Sequence, residues 1–240
     1  MLTTTNAIVL SKLRFKDNDL IVKCYTQKQG VVSYLLKGVL SSKKGNKKVA
    51  YFQSLSQLQL NTDYKPNRSL QYIKDVKTDF LYASLHTNIL KSAIVMFLAE
   101  VLAQALQEEE QNDGLYSYIQ TTLQWLDAND SYSNFHLLFL LDLTKYLGFY
   151  PDVTEIATAS YFNLMDGEFQ HENNSKYAIT GENLTLLKQL LGMTFDDIKT
   201  IKIGAKQRQS FLTIILVYFE LHLGNFKKPK SLQILNDVFN

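Results

Sequence analysis

The hydrophobic period of the sequence changes once, near residue 80, and this change limits the possible folds more than any other feature. Before it, five short segments are rich in β-forming residues and are separated by turn residues; they span residues 6–15, 20–26, 31–36, 55–60 and 70–76. Five short strands within roughly 80 residues predict a small closed β-barrel.

The rest of the sequence has the apolar spacing of helices. Leu85, Ile89, Ala93, Phe97 and Val101 lie four residues apart, which places them on one face of a helix. The same reasoning predicts further helices at 116–126, 135–147, 184–191, 196–201, 207–223 and 231–239. The dipeptide at 166–167, Asp-Gly between apolar residues, instead predicts a β-hairpin within 160–169. We therefore predict an α+β fold, in which a five-stranded barrel at 1–79 precedes an otherwise all-α domain at 80–240 with a small hairpin insertion.

Charge is divided unevenly between these two parts. Residues 1–80 contain 14 Lys and Arg against 5 Asp and Glu, a net charge of +9, whereas the whole chain carries only +2. No acidic residue occurs in 20–62, and the loop at 37–48 holds five lysines and two glycines. Glycine lets the backbone approach a ligand closely, and lysine supplies a mobile charge that suits phosphate. A loop that only keeps the surface solvated is the alternative, but the basic surroundings favour contact with a polyanion.

Basic residues are interleaved with aromatic residues in the same part of the chain. Arg14, Phe15 and Lys16 are adjacent, and Lys23 shares a strand face with Tyr25 by the period of two. Small barrels of the OB type bind single-stranded nucleic acid with this combination, because a charged groove follows the backbone while rings stack on bases.

Two further features leave alternatives open. The rings of Tyr34 and Phe52 suit stacking on bases, but each suits the barrel core at least as well. A late basic cluster of Lys202, Lys206 and Arg208 suits a phosphate or an acidic peptide, although ordinary helix-surface charge explains it slightly better. The predicted nucleic-acid-binding residues are Arg14, Lys16, Lys37, Lys43, Lys44, Lys47, Lys48, Lys206 and Arg208.

The sequence gives little support to catalytic, metal or redox chemistry. Cys24 is the only cysteine, which excludes an internal disulfide and a cysteine-based zinc site. Nucleotide-binding glycine motifs and HExxH are missing, and the basic part has no carboxylate cluster able to hold Mg²⁺ for a nuclease. We therefore expect a protein that is not an enzyme and needs no cofactor. With no signal peptide and no apolar stretch of about 18 residues, we expect it in the cytoplasm and away from membranes.

Several stretches, in order along the chain, resemble the RecO family of bacterial recombinational repair proteins. Residues 7–11 and 20–26 resemble the family's opening strands, and Gly30-Val-Val-Ser-Tyr-Leu-Leu-Lys-Gly-Val-Leu-Ser-Ser-Lys43 resembles its third strand and basic loop. Tyr146-Leu-Gly-Phe-Tyr-Pro151 resembles the helix end before its central insertion, and residues 224–232 resemble its tail. Together these stretches span nearly the whole chain.

The resemblance implies an N-terminal OB barrel, a helical domain, binding of single- and double-stranded DNA, and annealing of complementary strands. It also implies work with RecR and with the C-terminal tail of the single-strand-binding protein to load recombinase, in the cytoplasm at the nucleoid. It places the basic OB loop at Lys37, Lys43 and Lys44, and a late basic pair at Lys206 and Arg208.

The sequence departs from the family at one place. Many members carry four cysteines after the Leu-Gly-x-x-Pro motif and form a zinc module there, whereas residues 153–176 contain no cysteine. We therefore expect a zinc-free hairpin in that segment.

Two other classes of protein remain as alternatives. An RNA-binding OB protein, such as one associated with the ribosome, would share the electrostatics of the first 80 residues. A protein-interaction adaptor would explain the helical part but would not explain the net charge of +9 on the first 80 residues.

Overall fold

The chain forms two compact units. The structure is a computed structural model, and it describes residues 2–41, 45, 48–106 and 110–239. One unit comprises Met1–Asp127 with Pro229–Ser231, and the other comprises Ala128–Lys228 with Leu232–Asn240. The predicted barrel domain at 1–79 lies within the first unit, and its division from 80–240 as separate domains stays a prediction.

The first unit is built on one antiparallel sheet of five strands in the order β3-β2-β1-β4-β5. The strands are β1 (Leu2–Phe15), β2 (Asp19–Thr26), β3 (Gly30–Leu36), β4 (Gln57–Asp63) and β5 (Tyr72–Phe80). The five predicted strands and the α+β class are confirmed.

The long central strand β1 serves two neighbours. Its first half pairs with β4 and its second half with β2, and a β-bulge between Val9 and Ser11 lies near the change of partner. At the other side of the sheet, Gln71 accepts a hydrogen bond from Leu35 N–H at 2.9 Å and donates its own N–H to the Ser33 carbonyl at 2.8 Å. These two bonds join β3 to the start of β5 in parallel.

The inner side of the sheet is the hydrophobic core of this unit. Tyr34 and Phe52 are both 0% exposed, so their rings belong to the core, and the alternative in which they stack on bases is wrong. They pack with alternate side chains of the strands, among them Ala7, Val9, Val22, Cys24, Leu36, Leu58 and Leu60.

Among the described residues of the first unit, two long helices follow the sheet, α1 (Ile89–Ala105) and α2 (Asp113–Ala128). Lys23 Nζ donates to the Ala103 carbonyl at 2.8 Å and to the Leu106 carbonyl at 3.4 Å. These carbonyls lie at the end of α1, where the helix dipole is negative. Lys23, which the sequence grouped with the nucleic-acid-binding face, thus stabilises a helix end.

A buried polar network fixes the entry into α1. The carboxylate of Asp127 accepts hydrogen bonds from the backbone N–H groups of Ala83, Ser84 and Leu85 at 2.8–2.9 Å. Burial alone would raise the pKa of Asp127, but these N–H groups outweigh it and lower the pKa. Lys91, only 1% exposed, donates to the Asp127 carbonyl at 2.8 Å.

The second unit contains helices and a small sheet. Its helices are α3 (Phe135–Leu147), α4 (Gly181–Leu190), α5 (Ala205–His222) and α6 (Leu232–Val238), with a 3₁₀ turn at Asp197–Thr200. α5 corresponds to the helix predicted at 207–223, and the apolar segment around Phe211 forms its buried side. In the part of the chain that the structure describes, no helix combines the length and the apolar character needed to cross a bilayer.

The predicted hairpin is present and gains a third strand. β6 (Tyr161–Asn163) and β7 (Glu168–Gln170) pair around Gly167, whose φ is 73°, and β8 (Ala178–Ile179) pairs with the other edge of β6. β8 was not predicted because two residues are too few to show an alternating pattern.

Aromatic rings hold this hairpin in place. The Phe162 ring lies 4.9 Å from Phe169 and 5.9 Å from Tyr218, and the Tyr218 hydroxyl donates to the Phe149 carbonyl at 2.7 Å. A Cβ atom at Gly167 would lie 2.8 Å from that hydroxyl. Within the described ranges, no three His, Cys, Asp or Glu side chains are grouped so that they could hold a metal.

Candidate nucleic-acid interface

The segment at 37–48, called the basic segment below, leaves β3 through a tight turn. Gly38 has a φ of 62°, which favours glycine, and its N–H donates to the carboxylate of Asp19 at 2.7 Å. Ser41 closes the turn, because its N–H and its hydroxyl both bond to the Gly38 carbonyl. Lys37 is exposed. The predicted site residues Lys43, Lys44 and Lys47 lie outside the described residues.

A second contact sets the path of this segment. At Gly45 a Cβ atom would overlap the carbonyl oxygen of Val39, so only glycine fits there. Gly45, Lys48 and Val49 have helical backbone, and Lys48 is half-buried. Lys37 and Lys48 line one cavity of about 410 Å³ together with Tyr72, called the cation cavity below.

The turn between β1 and β2 carries two more of the predicted site residues. Arg14 and Lys16 are both exposed, and the Arg14 guanidinium donates to the Asp17 carbonyl at 3.1 Å. Lys16 has a φ of 53°, and its Nζ lies 5.4 Å from the centre of the Phe15 ring.

Backbone hydrogen bonds connect this turn to the basic segment. Leu40 N–H donates to the Asn18 carbonyl at 3.1 Å, and Gly38 N–H reaches Asp19, as described above. The two loops therefore lie side by side. The structure brings Arg14, Lys16 and Lys37 to the same end of the sheet, where β1 turns into β2 and where β3 ends. We call this the cationic edge; its described basic residues are Arg14, Lys16, Lys37 and Lys48.

Sequence reasoning missed two residues near Lys37: Tyr72, which lines the cation cavity, and Arg68, which contacts the Tyr72 ring. Lys37 Nζ lies 5.2 Å from the centre of the Tyr72 ring, and the Arg68 guanidinium carbon lies 4.8 Å from it. Arg68 also pairs with Asp63 at 3.4 Å. Their position depends on the bonds of Gln71 with β3, a pairing of distant residues that a local period does not reveal. A contact between the third and the fifth predicted strands would have pointed to them, and the bridge between Tyr34 and Gln71 is such a contact.

The late cluster has different surroundings. Lys206 is exposed, but Arg208 is half-buried and donates to Asn134 Oδ1 at 3.3 Å, to the Ile203 carbonyl at 3.2 Å and to the Phe239 carbonyl at 3.5 Å. Burial lowers the pKa of Arg208. Its guanidinium is thus engaged with its own unit, and the structure does not bring it together with Lys206 as a pair of exposed cations.

Comparison with known proteins identifies both parts of the chain. Residues 1–80 match the family described as Recombination protein O N terminal, and residues 86–233 match Recombination protein O C terminal. The chain is 47% identical over 239 residues to the DNA repair protein RecO of Christiangramia forsetii, with 100% of both chains covered. It is 44% identical over 236 residues to the DNA repair protein RecO of Flavobacterium johnsoniae, with 98% of each covered. Against the DNA repair protein RecO of Bacteroides fragilis, the identity is 36% over 244 residues, with 100% of both covered.

Proposed function

Because this chain belongs to the Recombination protein O family, we propose that it binds single- and double-stranded DNA and anneals complementary strands without catalysing a covalent step. The family gives the chain a role in recombinational DNA repair. The observation that carries the proposal is the cationic edge, where two hydrogen-bonded loops gather exposed basic residues on a unit whose first 80 residues carry a net +9.

The sheet closes as an OB-type barrel in this proposal, supported by the two hydrogen bonds between Gln71 and β3. A closed barrel gives the loops between its strands a rigid base, which suits a binding surface made of loops. Lys43, Lys44 and Lys47 lie between Lys37 and Lys48 in the sequence, and we include them among the proposed DNA-binding residues.

Annealing follows from electrostatics alone. A protein that neutralises phosphates on two strands lowers their mutual repulsion, so complementary bases meet more often. The affinity comes largely from release of counterions and falls steeply as salt rises. No nucleophile, general base or metal is needed for this step.

Two partners complete the proposal: RecR, and the acidic, apolar C-terminal tail of the single-strand-binding protein. Both act with this chain in loading recombinase. The tail docks on the helical part, and the late cluster is its proposed contact. In support, Lys202 and Arg208 line a cavity of about 390 Å³ together with Ile201 and Ile203, so that charge and apolar surface meet there. Tail peptide that shows no measurable binding to the full chain would refute this part.

The central test replaces Lys43, Lys44, Lys47 and Lys48 together by alanine. We expect weaker binding of single-stranded DNA and a slope of log K against log salt that is flatter by up to about 3, since each lost phosphate contact removes about 0.7. The matched control removes four lysines of the second unit instead: Lys176, Lys199, Lys227 and Lys228. Unchanged affinity and slope in the first variant would remove the basic segment from the proposal.

Three further measurements separate this function from its alternatives. DNA and RNA oligomers of one sequence, titrated in parallel, distinguish a DNA-annealing protein from an RNA-binding OB protein. Annealing of complementary oligonucleotides coated with their cognate binding protein tests the mediator role directly. Incubation of labelled DNA with the protein and Mg²⁺ is expected to leave the DNA intact, and cleavage would overturn the non-catalytic assignment.

A further inference from the structure

A second cavity is lined in part by residues that directly follow Lys48 in the sequence. It measures about 350 Å³, and its lining includes Tyr51, Phe80, Leu81, Tyr82 and His86. We call it the aromatic cavity. Its volume falls in the range of about 300–1,000 Å³ that is typical of small-molecule sites, so it is large enough for an aromatic ligand.

Hydrogen bonds fix the wall of the aromatic cavity. The Tyr82 hydroxyl donates to the Leu55 carbonyl at 3.1 Å, and His86 Nε2 lies 2.9 Å from the Ser54 carbonyl. The Tyr82 ring makes edge contacts at 5.4 Å with both Phe80 and His86. These contacts hold the rings in place before any ligand arrives.

Two large apolar side chains of this cavity remain open to solvent. Tyr51 is 39% exposed and Leu81 is 83% exposed. Exposed large apolar side chains that line the same cavity are a feature of binding sites. The function described so far uses neither side chain.

One helical turn links the aromatic cavity to the cation cavity. Tyr51 N–H bonds to the Lys48 carbonyl at 3.3 Å, and Phe52 N–H bonds to the Val49 carbonyl at 3.1 Å. Lys48 lines the cation cavity and Tyr51, three residues later, lines the aromatic cavity. The two cavities are lined by opposite ends of β5, with Tyr72 and Ile73 at one and Thr78 and Phe80 at the other. A DNA strand is long enough to pass Lys48 and to place one of its bases beside Tyr51.

The chemistry of the two cavities favours a nucleotide over a peptide. None of the described residues that line the aromatic cavity is a carboxylate, lysine or arginine, while Gln53, Ser56 and Thr78 supply neutral hydrogen-bonding groups. An acidic peptide binds where cations line the same cavity as its side chains, which is not the case here. An apolar peptide would make no favourable contact with the charges of Lys37 and Lys48. A nucleobase is flat, neutral and rimmed by hydrogen-bonding groups, and its phosphate is the nearest charge.

We propose that the aromatic cavity holds one nucleobase of a DNA strand whose backbone lies along Lys37 and Lys48, with the Tyr51 ring as the stacking surface. This inference rests on the proposed DNA binding and adds a place for a base to it. A single held base anchors the strand while the bases on either side stay free to pair, which annealing requires.

The test compares two ligands of equal charge: a short thymidine oligomer and an abasic oligomer with the same number of phosphates. We expect the wild-type chain to bind the thymidine oligomer roughly 5- to 150-fold more tightly, as for one stacked base. Tyr51→Ala is expected to abolish this preference while its affinity for the abasic oligomer stays unchanged. Tyr51→Phe keeps the ring and is expected to keep the preference.

Controls make each outcome decisive. Tyr146→Ala removes another tyrosine of similar exposure, 38%, in the second unit and is expected to leave the preference intact. A Tyr51→Ala chain that keeps the preference, or that loses affinity for both oligomers equally, would overturn the nucleobase site. Failure of the wild-type chain to bind either oligomer would instead overturn the proposed DNA binding itself.

Discussion

Two basic clusters of this chain are similar in sequence and different in their surroundings. At the cationic edge, Arg14, Lys16 and Lys37 are exposed above two loops whose backbones are hydrogen-bonded to each other. At the start of α5, Arg208 is half-buried and donates to three acceptors of its own unit. Since a guanidinium with internal partners has few donors left for a phosphate, burial and hydrogen-bond partners decide what a basic residue does.

Lys91 is more deeply buried than Arg208, and its replacement should have the largest effect on stability. It is 1% exposed, and its Nζ donates to Ser84 Oγ and to the Asp127 carbonyl, both at 2.8 Å. Lys91→Ala leaves both acceptors without this donor and opens a cavity, so we expect the free energy of unfolding to fall by about 3 kcal/mol or more. Urea unfolding followed by circular dichroism measures it. Lys37→Ala is the exposed control, expected to stay within about 0.5 kcal/mol; equal losses would erase the distinction between buried and exposed basic residues.

Arg208→Ala should separate stability from DNA binding. A hydrogen bond from a charged donor contributes about 1.5–3 kcal/mol to stability when its geometry is good. The three bonds of Arg208 are long, at 3.2–3.5 Å, so we expect the free energy of unfolding to fall by about 2 kcal/mol in total. Thermal unfolding measures the loss, and titration with single-stranded DNA is expected to show little change in affinity. A variant that is fully stable but binds DNA weakly would assign Arg208 to the phosphate contacts after all.

A buried histidine near Arg208, His136, makes stability depend on pH. Burial, and then the charge of Arg208, lower the pKa of His136 to about 3. Below its usual value of about 6.5, the unfolded chain binds a proton at His136 that the folded chain does not. The resulting stability is fully present above about pH 6.5 and is lost as the pH falls towards 3, by up to about 1.4 kcal/mol per pH unit.

The difference between the slopes of the wild type and of His136→Gln from pH 7.5 to pH 5 isolates this effect, because carboxylates titrate lower and both chains share the other three histidines. His136→Gln is expected to remove that part of the slope whatever its effect on stability at neutral pH. A slope that is the same in the variant and the wild type would show that His136 does not titrate in this way.

Arg14 and Lys16 should show the reverse pattern of Arg208. Replacing both by alanine is expected to leave the free energy of unfolding within about 0.5 kcal/mol for each, since both side chains are exposed. The salt dependence of single-stranded DNA binding is expected to flatten by about 1.4, at roughly 0.7 for each lost phosphate contact. An unchanged slope would confine DNA to the basic segment and remove the β1–β2 turn from the cationic edge.

The sequence predicted the kinds of element well because hydrophobic period is a local property. It placed the end of β5 near residue 76 instead of Phe80, since the exposed Lys77, Thr78 and Asp79 conceal the alternation. The apolar stripe placed Leu85 in the same helix as Ile89, whereas α1 begins at Ile89 behind the N-cap residue Asn88. The structure has a turn at 85–87 instead. The contact that holds the chain before it is not local, because the N–H groups at 83–85 bond to Asp127, more than 40 residues later.

The candidate site divides in the same way. Lys37 and its glycine neighbours could be identified from composition alone, because a run of lysines is visible without a fold. The position of Tyr72 beside Lys37 depends on the pairing of Gln71 with β3, and the internal partners of Arg208 come from Asn134 and Phe239, 74 and 31 residues away. Contacts between distant residues decide which charges remain available, and no local pattern contains them.

Lys206 gives the smallest expected effect and the sharpest comparison with Arg208, two residues later on the same helix. It is exposed, so Lys206→Ala is expected to change the free energy of unfolding by less than about 0.5 kcal/mol. If the late cluster contacts the tail of the single-strand-binding protein, the variant should bind that acidic peptide more weakly, and more so at low salt, where exposed charges are least screened. Lys202→Ala is the companion variant, because Lys202 is equally exposed and lines the cavity beside Arg208. Unchanged peptide affinity in both variants would place the tail elsewhere, and the late cluster would then be ordinary helix-surface charge around one structural arginine.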